Sequence, residues 1–326
     1  MGVSTDTLPP PYTPHESSSS YPQPTRPYTS DYSPLPNLPS APTFVTCSSF
    51  SAFPNTINII IPALTIHTPS TPFAYNKLDA RRSITSLLFE SEKYKSGSRC
   101  TIKQTKQPLV IYETWSGHTC QLHNRQETIL VHGSAIAYDT ILLENKKGNI
   151  TVDGSIVSSK NICVKINQGT LVVHGICMVA KNTMTIEASH SPLQLQCLME
   201  AKRLYVKMKY APLVLNQVSL IQTLGIRATK ASVEVYIVDI KNSSAKIDIE
   251  TSHEFVTVYL SRQFSGEFNI ESKKGIVSII DRSQIGILDY KRTEQSHIEG
   301  SFKHGKNSKH SIRIKTSHAP ATIHII

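Results

Sequence analysis

Residues 129–175 read ILVHGSAIAYDTILLENKKGNITVDGSIVSSKNICVKINQGTLVVHG. Three short apolar openings stand in this stretch, Ile129-Leu-Val131, Ile150-Thr-Val152 and Leu171-Val-Val173, with second alternating stretches between them at Ile141/Leu143 and Ile162/Val164/Ile166. Alternation with a period of two sends one side chain inward and the next outward, which is the signature of a half-buried strand. A unit that recurs about every 21 residues is an internal repeat, and a repeat of that length decides the architecture before any site is considered.

The same opening recurs on both sides, as Leu109-Val-Ile111, Leu193-Gln-Leu195, Leu213-Val-Leu215, Val233-Glu-Val235, Val256-Thr-Val258, Val277-Ser-Ile279 and, more weakly, Ile298-Glu-Gly300. From Leu109 to Ile298 the first residues are spaced 20, 21, 21, 22, 20, 20, 23, 21 and 21 apart. Further second stretches follow at Met184/Ile186, Leu204/Val206/Met208, Ile247/Ile249, Phe268/Ile270 and Ile312/Ile314. A two-strand unit of this size cannot bury its own apolar face, whereas a stack of such units at ~4.8 Å per coil makes one continuous core. The expected fold is therefore all-β: a single elongated β-solenoid of about ten two-strand repeats, preceded by a disordered tail. A β-sandwich also uses many short strands, but nothing in it requires so steady a register over ten units.

The domain division follows from composition. Of the 19 prolines, 15 precede residue 76, a segment whose charged residues are Arg26, Asp6, Glu16 and Asp31, net −2. The remainder carries 33 basic and 21 acidic residues, net +12, which favours acidic partners without identifying one. Residues 1–55 mix Pro, Ser, Thr and Tyr with little aliphatic content and are expected to be disordered, with residues 56–326 forming the solenoid. Within the tail, Pro9-Pro10-Pro11-Tyr12 fits the PPxY pattern, in which a polyproline II turn presents its rings and a tyrosine to a WW-domain groove. Met1 to Ser20 contains no basic start followed by an apolar core, and no apolar run reaches ~18 residues, so a cytoplasmic or peripheral location is expected. The six cysteines show no C-x-x-C spacing and read as buried thiols. Cys177 and Cys197 fall close to one inward position on neighbouring coils without matching it.

In-register stacking turns equal sequence offsets into columns. The third position after each opening yields Tyr112, His132, Asp153, His174, Gln196, Asn216, Tyr236 and Tyr259, an outward ladder and the candidate surface site. His132, Asp153 and His174 would stand on adjacent coils about 5 Å apart, near enough for Asp153 to bridge two imidazoles or for a divalent metal to recruit them. A solvated polar ladder is the plainer reading, and no metal ligand set is assigned. Lys165, Lys207, Arg227 and Lys246 project outward from the second strands, and Lys303, Lys306, Lys309 and His310 add charge near residue 305. Such a face could meet acidic glycans or lipid headgroups, but Glu187 and Asp248 interrupt it and no base-stacking aromatics accompany it, so there is no specific nucleic-acid signal. The Ser-His neighbours Ser189-His190, Ser252-His253 and Ser317-His318 lack an orienting acid in sequence, and Asp153 is the only carboxylate of its column. No catalytic residues and no cofactor are assigned.

The serial short strands, small turns and the closing Ile314-Lys-Thr-Ser-His-Ala-Pro-Ala-Thr-Ile-His-Ile325 resemble the adhesin-like β-solenoid domains of unknown function found in bacteria and fungi. The resemblance covers about residues 80–326. It implies a solenoid, carries no established catalytic residues, and includes fungal examples without a secretion signal. The expectation is a non-catalytic interaction or scaffold protein with a WW-domain partner for its tail. A glycan-binding, adhesin-like surface protein is the alternative, and a polysaccharide-active β-helix enzyme is third.

Overall fold

The computed structural model describes residues 57–59, 87–88, 91–97, 99–104, 106–261, 264–283, 287–303 and 309–326, all within the unit Phe44–Ile326. The expected tail, including Pro9 to Tyr12, lies outside the described residues. The unit is a β-solenoid of about eight turns.

Each turn from residue 115 to 240 contributes three strand segments rather than two. The expected openings form the first face, where Leu109, Ile129, Ile150, Leu171, Leu193, Leu213, Val233 and Val256 follow one another in parallel register. The expected second stretches form the third face, where Cys100, Cys120, Ile141, Ile162, Met184, Leu204, Leu224 and Ile247 are stacked in the same way. Between them lies a second face of short pairings, such as Ala135 to Ala137 on Ile156 to Ser158 and then on Met178 to Ala180. Sequence periodicity missed this face because it abuts the third face across register shifts, at Gly117/Thr119, Ala180/Thr183 and Ala201/Arg203. A bulge inserts a residue and breaks the two-residue alternation there.

The second face differs in a further way: its outward column holds Ile136, Val157 and Val179, all buried. Leu87 and Leu88, helical residues, pack against Val157, Cys177 and Val179. Ser91 Oγ lies 2.6 Å from Ser159 Oγ, and Glu92 reaches Lys181 at 2.6 Å. Inside the turns, aliphatics from all three faces make one core, including Ile129, Ile141, Ile150, Ile156, Leu193 and Val218. Full burial of such a side chain contributes roughly 1.5–3 kcal/mol, so stacking is held together by the columns rather than by any one rung.

The corner between the third and first faces uses buried amides where the chain must turn sharply. Asn124 Nδ2 donates to Gln107 O and Asn145 Nδ2 to Glu127 O, satisfying turn carbonyls one coil away. Gly148 and Gly169 follow at φ of 104° and 131°, and a Cβ on Gly169 would lie 2.1 Å from Gly148 O. Only glycine fits both the left-handed backbone and that approach.

Chain order and spatial order part company near the end. The arc 310–325, last in sequence, does not stack beyond the arc 266–281. Its strands His310–Thr316 and Ala321–Ile325 lie between Lys246–Thr251 and Val256–Leu260 on one side and Gly266–Ser272 and Val277–Asp281 on the other, parallel throughout. The weak opening at Ile298 is accordingly not a rung of the first face. Ile298 sits in His297–Lys303, which pairs antiparallel with Gly266–Ser272 and with Ile287–Glu294 and covers the exposed edge of the third face.

Candidate functional site

The outward ladder starts where the first-face hydrogen bonding runs one residue past each opening. The His132 N–H donates to Ile111 O at 2.8 Å, Asp153 N–H to Val131 O at 2.8 Å, and His174 N–H to Val152 O at 2.9 Å. The next residues are Gly133, Gly154 and Gly175, where a Cβ on Gly175 would meet Gly154 C and O at 2.2 Å. Tight glycine packing thus locks the rungs in register, and the ladder side chains inherit that register.

His132 Nδ1 lies 2.8 Å from Asp153 Oδ2, and the Tyr112 ring stacks on His132 with centroids 5.4 Å apart. Among the described residues His174, on the next rung, has no side-chain hydrogen bond, so Asp153 pairs with one imidazole and does not bridge two. Among the described residues no group of three or more His, Cys, Asp or Glu is placed to hold a metal ion. Gln196 is exposed and Asn216 half-buried in the middle of the column. At its far end Tyr236 stacks on Tyr259 at 4.0 Å and 5° between planes, and Tyr259 stacks on His324 at 4.8 Å and 13°. Tyr236 donates its phenol O–H to Glu234 at 2.8 Å, and that carboxylate holds the phenol well above its usual range.

His324 was invisible as a ladder member because it comes from the inserted arc, 65 residues after Tyr259 in the chain. Burial depresses its pKa, and among the described residues its Nδ1 has no hydrogen-bond partner. Stacking covers the ring faces shared between Tyr112 and His132 and between Tyr236, Tyr259 and His324.

The third face holds a second long column, running Lys103, His123, Glu144, Lys165, Glu187, Lys207, Arg227, Glu250, Lys315, Glu271, His297 and Glu294 in register. His123 meets Glu144 at 3.0 Å, Arg227 meets Glu250 at 3.2 Å and Asp248 at 2.9 Å, and Lys315 meets Glu271 at 2.9 Å. Lys165, Lys207 and Arg227 therefore belong to a largely alternating column rather than to a uniform cationic face, and Lys246 stands in a different column beside Thr223 and Ser311. Periodicity identified the cations and the interrupting Glu187 and Asp248, and the register adds Glu144, Glu250 and Glu271 to the alternating column.

A third column lies at the corner before the first face. His190, Tyr210 and Lys230 adopt φ of 57°, 61° and 52° on successive turns. The His190 and Tyr210 rings stack at 4.7 Å, and Lys230 Nζ stands 5.7 Å from the Tyr210 ring centre. On the next two rungs His253 and His318 stack at 5.0 Å, with His253 Nδ1 2.8 Å from Ser252 Oγ. Among the described residues no carboxylate bonds to the imidazole of His253 or His318. Cys177 and Cys197 are buried, and burial pushes their thiols up to about 11 and about 12. Cys177 pairs in register with Leu198, one residue beyond Cys197.

No family model matches the chain, and no curated protein matches it. A solved structure described as that of a candidate cell adhesion protein from Clostridium sporogenes matches over 44% of this chain and 56% of that one, at 19% identity and a TM-score of 0.26. A likeness of that size carries no argument about ligand or activity.

Proposed function

We propose that this chain is a non-catalytic interaction scaffold, a stiff solenoid that displays partner-binding segments. The observation that carries this reading is the self-pairing of its outward side chains. Tyr112 stacks on His132, His132 pairs with Asp153, Tyr236 stacks on Tyr259 and Tyr259 on His324, so these side chains meet neighbouring rungs and not a shared reaction centre. Catalysis needs reactive side chains that converge on one reacting group. The PPxY string Pro9 to Tyr12 supplies the recruiting element in this reading.

Titration of the full chain and of Tyr12→Ala against a panel of WW domains tests it. Loss of the tyrosine anchor, about 2 kcal/mol, should weaken binding more than tenfold. Equal affinities, or no binding by either chain, would remove the tail from the proposal. The glycan-binding alternative draws on the hydrogen-bonding groups of Asp153, His174, Gln196 and Asn216 between the stacked rings. Glycan binding that disappears in Asp153→Ala and Gln196→Ala would establish it over the scaffold reading.

A further inference from the structure

The insertion of arc 310–325 means that the chain leaves one rung empty when it passes from Leu260 to Gly266, and fills it later with another segment. Without that segment the arcs 245–260 and 266–281 would face each other across ~9.6 Å, two strand spacings, with unpaired backbone edges on both sides. The occupant bonds to both walls. The Ser311 N–H donates to Ala245 O at 2.9 Å and Val256 N–H to Pro320 O at 3.1 Å on one side. On the other, Lys273 N–H donates to Thr316 O at 3.2 Å and Ala321 N–H to Ile276 O at 3.1 Å. Ile312, Ile314, Ala321, Ile323 and Ile325 complete the core columns and are all buried.

Two features make this slot selective. The occupant is close in sequence to one of its own walls: AKIDIETSHEFVTVYL at 245–260 against HSIRIKTSHAPATIHI at 310–325, sharing the isoleucines, the Thr-Ser-His corner and the first-face threonine. Its outward charges are reversed relative to the walls. Arg313 stands between Asp248 and Asn269, with Asp248 at 3.9 Å, and Lys315 between Glu250 and Glu271, with Glu271 at 2.9 Å. A basic arc is keyed between acidic ones.

We propose that the slot is a strand-acceptor site and that it takes residues 310–325 of a second copy of the chain as well as its own, giving arc-exchanged dimers. Every contact just described is the same when the arc comes from another copy, so exchange needs no new surface. The chain's own arc has an effective concentration in the millimolar range and wins in dilute solution. Exchange is favoured when open chains fold at high concentration, because the slot exists before its occupant arrives. Once filled, both walls must be broken to release the arc, so the dimers persist on dilution.

The test uses the full chain, unlabelled and ¹⁵N-labelled, unfolded, mixed and refolded at roughly 1 μM and roughly 100 μM, then treated with a zero-length carbodiimide that joins Lys315 to Glu271. The expected result is a dimer fraction that rises several-fold with concentration and that contains light–heavy Lys315–Glu271 cross-links. Only light–light and heavy–heavy cross-links at both concentrations would overturn the proposal. A second measurement covers low yield of the wild-type dimer. Glu271→Lys and Lys315→Glu each place like charges in the closed rung, whereas a mixed dimer restores one opposite pair and keeps one native rung. Co-refolding should therefore give the 1:1 heterodimer in several-fold excess over either homodimer, and a mixture that stays monomeric counts against the acceptor site.

Discussion

A methyl group added at Gly175 would lie 2.2 Å from the backbone of Gly154, whereas one added at Gly97 would have its nearest contacts at 3.1 and 3.3 Å. Both are glycine-to-alanine changes in a strand-rich chain, but only the first drives atoms into a rung that cannot move without shifting its neighbours. Gly175→Ala should cost about 3 kcal/mol and Gly97→Ala about 1 kcal/mol or less, measured by denaturant unfolding. The thiols offer a second residue-scale contrast. With Cys177 at about 11 and Cys197 at about 12 by burial, neither forms much thiolate near neutrality. A disulfide reagent should therefore modify both only after the chain unfolds, and rapid labelling of either in the native protein would contradict their place in the core. His310 is buried, accepts the Ala245 N–H at 3.1 Å through Nδ1, and packs on Phe264 and Gly266, while Lys246 and Glu267 point outward from the adjoining strands. Burial lowers its pKa below 6.5, so the unfolded chain takes up a proton first and stability falls as the pH drops through that value. His324 is shifted in the same direction. Thermal melts between about pH 7.5 and about 5.5 should show a smaller loss in His310→Asn, whose amide oxygen can take the Ala245 N–H, than in the wild type.

At the scale of strands, the alternating column of the third face is the feature that register creates. Each exposed pair is worth only ~0.2–1 kcal/mol, but like charges directly opposite one another are destabilising by similar amounts. Glu187→Lys would turn Lys165, Glu187, Lys207 and Arg227 into four consecutive cations on adjacent strands. It should lower stability by about 1–2 kcal/mol at low salt and by much less at ~1 M salt, where screening acts over about 3 Å. An effect independent of salt would mean that Glu187 acts through packing instead. In the same column, sequence offsets located Lys165, Lys207 and Arg227 with Glu187 and Asp248 among them, whereas Glu250 beside Arg227 and Glu271 beside Lys315 emerge from the stacking of turns, Lys315 out of chain order.

A solenoid is held together by nearest-neighbour terms, so distant rungs should be energetically independent. Ile162→Ala and Ile247→Ala, four rungs apart on the third face, should combine additively within ~0.5 kcal/mol. Ile141→Ala and Ile162→Ala, on neighbouring rungs, should show a clear coupling in the same double-mutant cycle. Equal coupling in both pairs would argue for a globular core shared by all turns. Sequence alone determined that the chain is a repeat of short strands, because burial on one side forces a two-residue alternation at Ile129/Val131 and Ile150/Val152 that no turn disguises. It also brought Tyr112 beside His132, His132 beside Asp153 and Tyr236 beside Tyr259, since equal offsets from equal openings align when coils stack in register. The second face, the covering of Val157 and Val179 by Leu87 and Leu88, the addition of His324 to the ladder and the slot filled by residues 310–325 were decided by tertiary structure. Periodicity records which way a side chain points, while the identity of the neighbouring strand depends on which edges are vacant when each segment arrives. Repeats as alike as 245–260 and 310–325 satisfy the same edges, so their order in space is not written in their pattern.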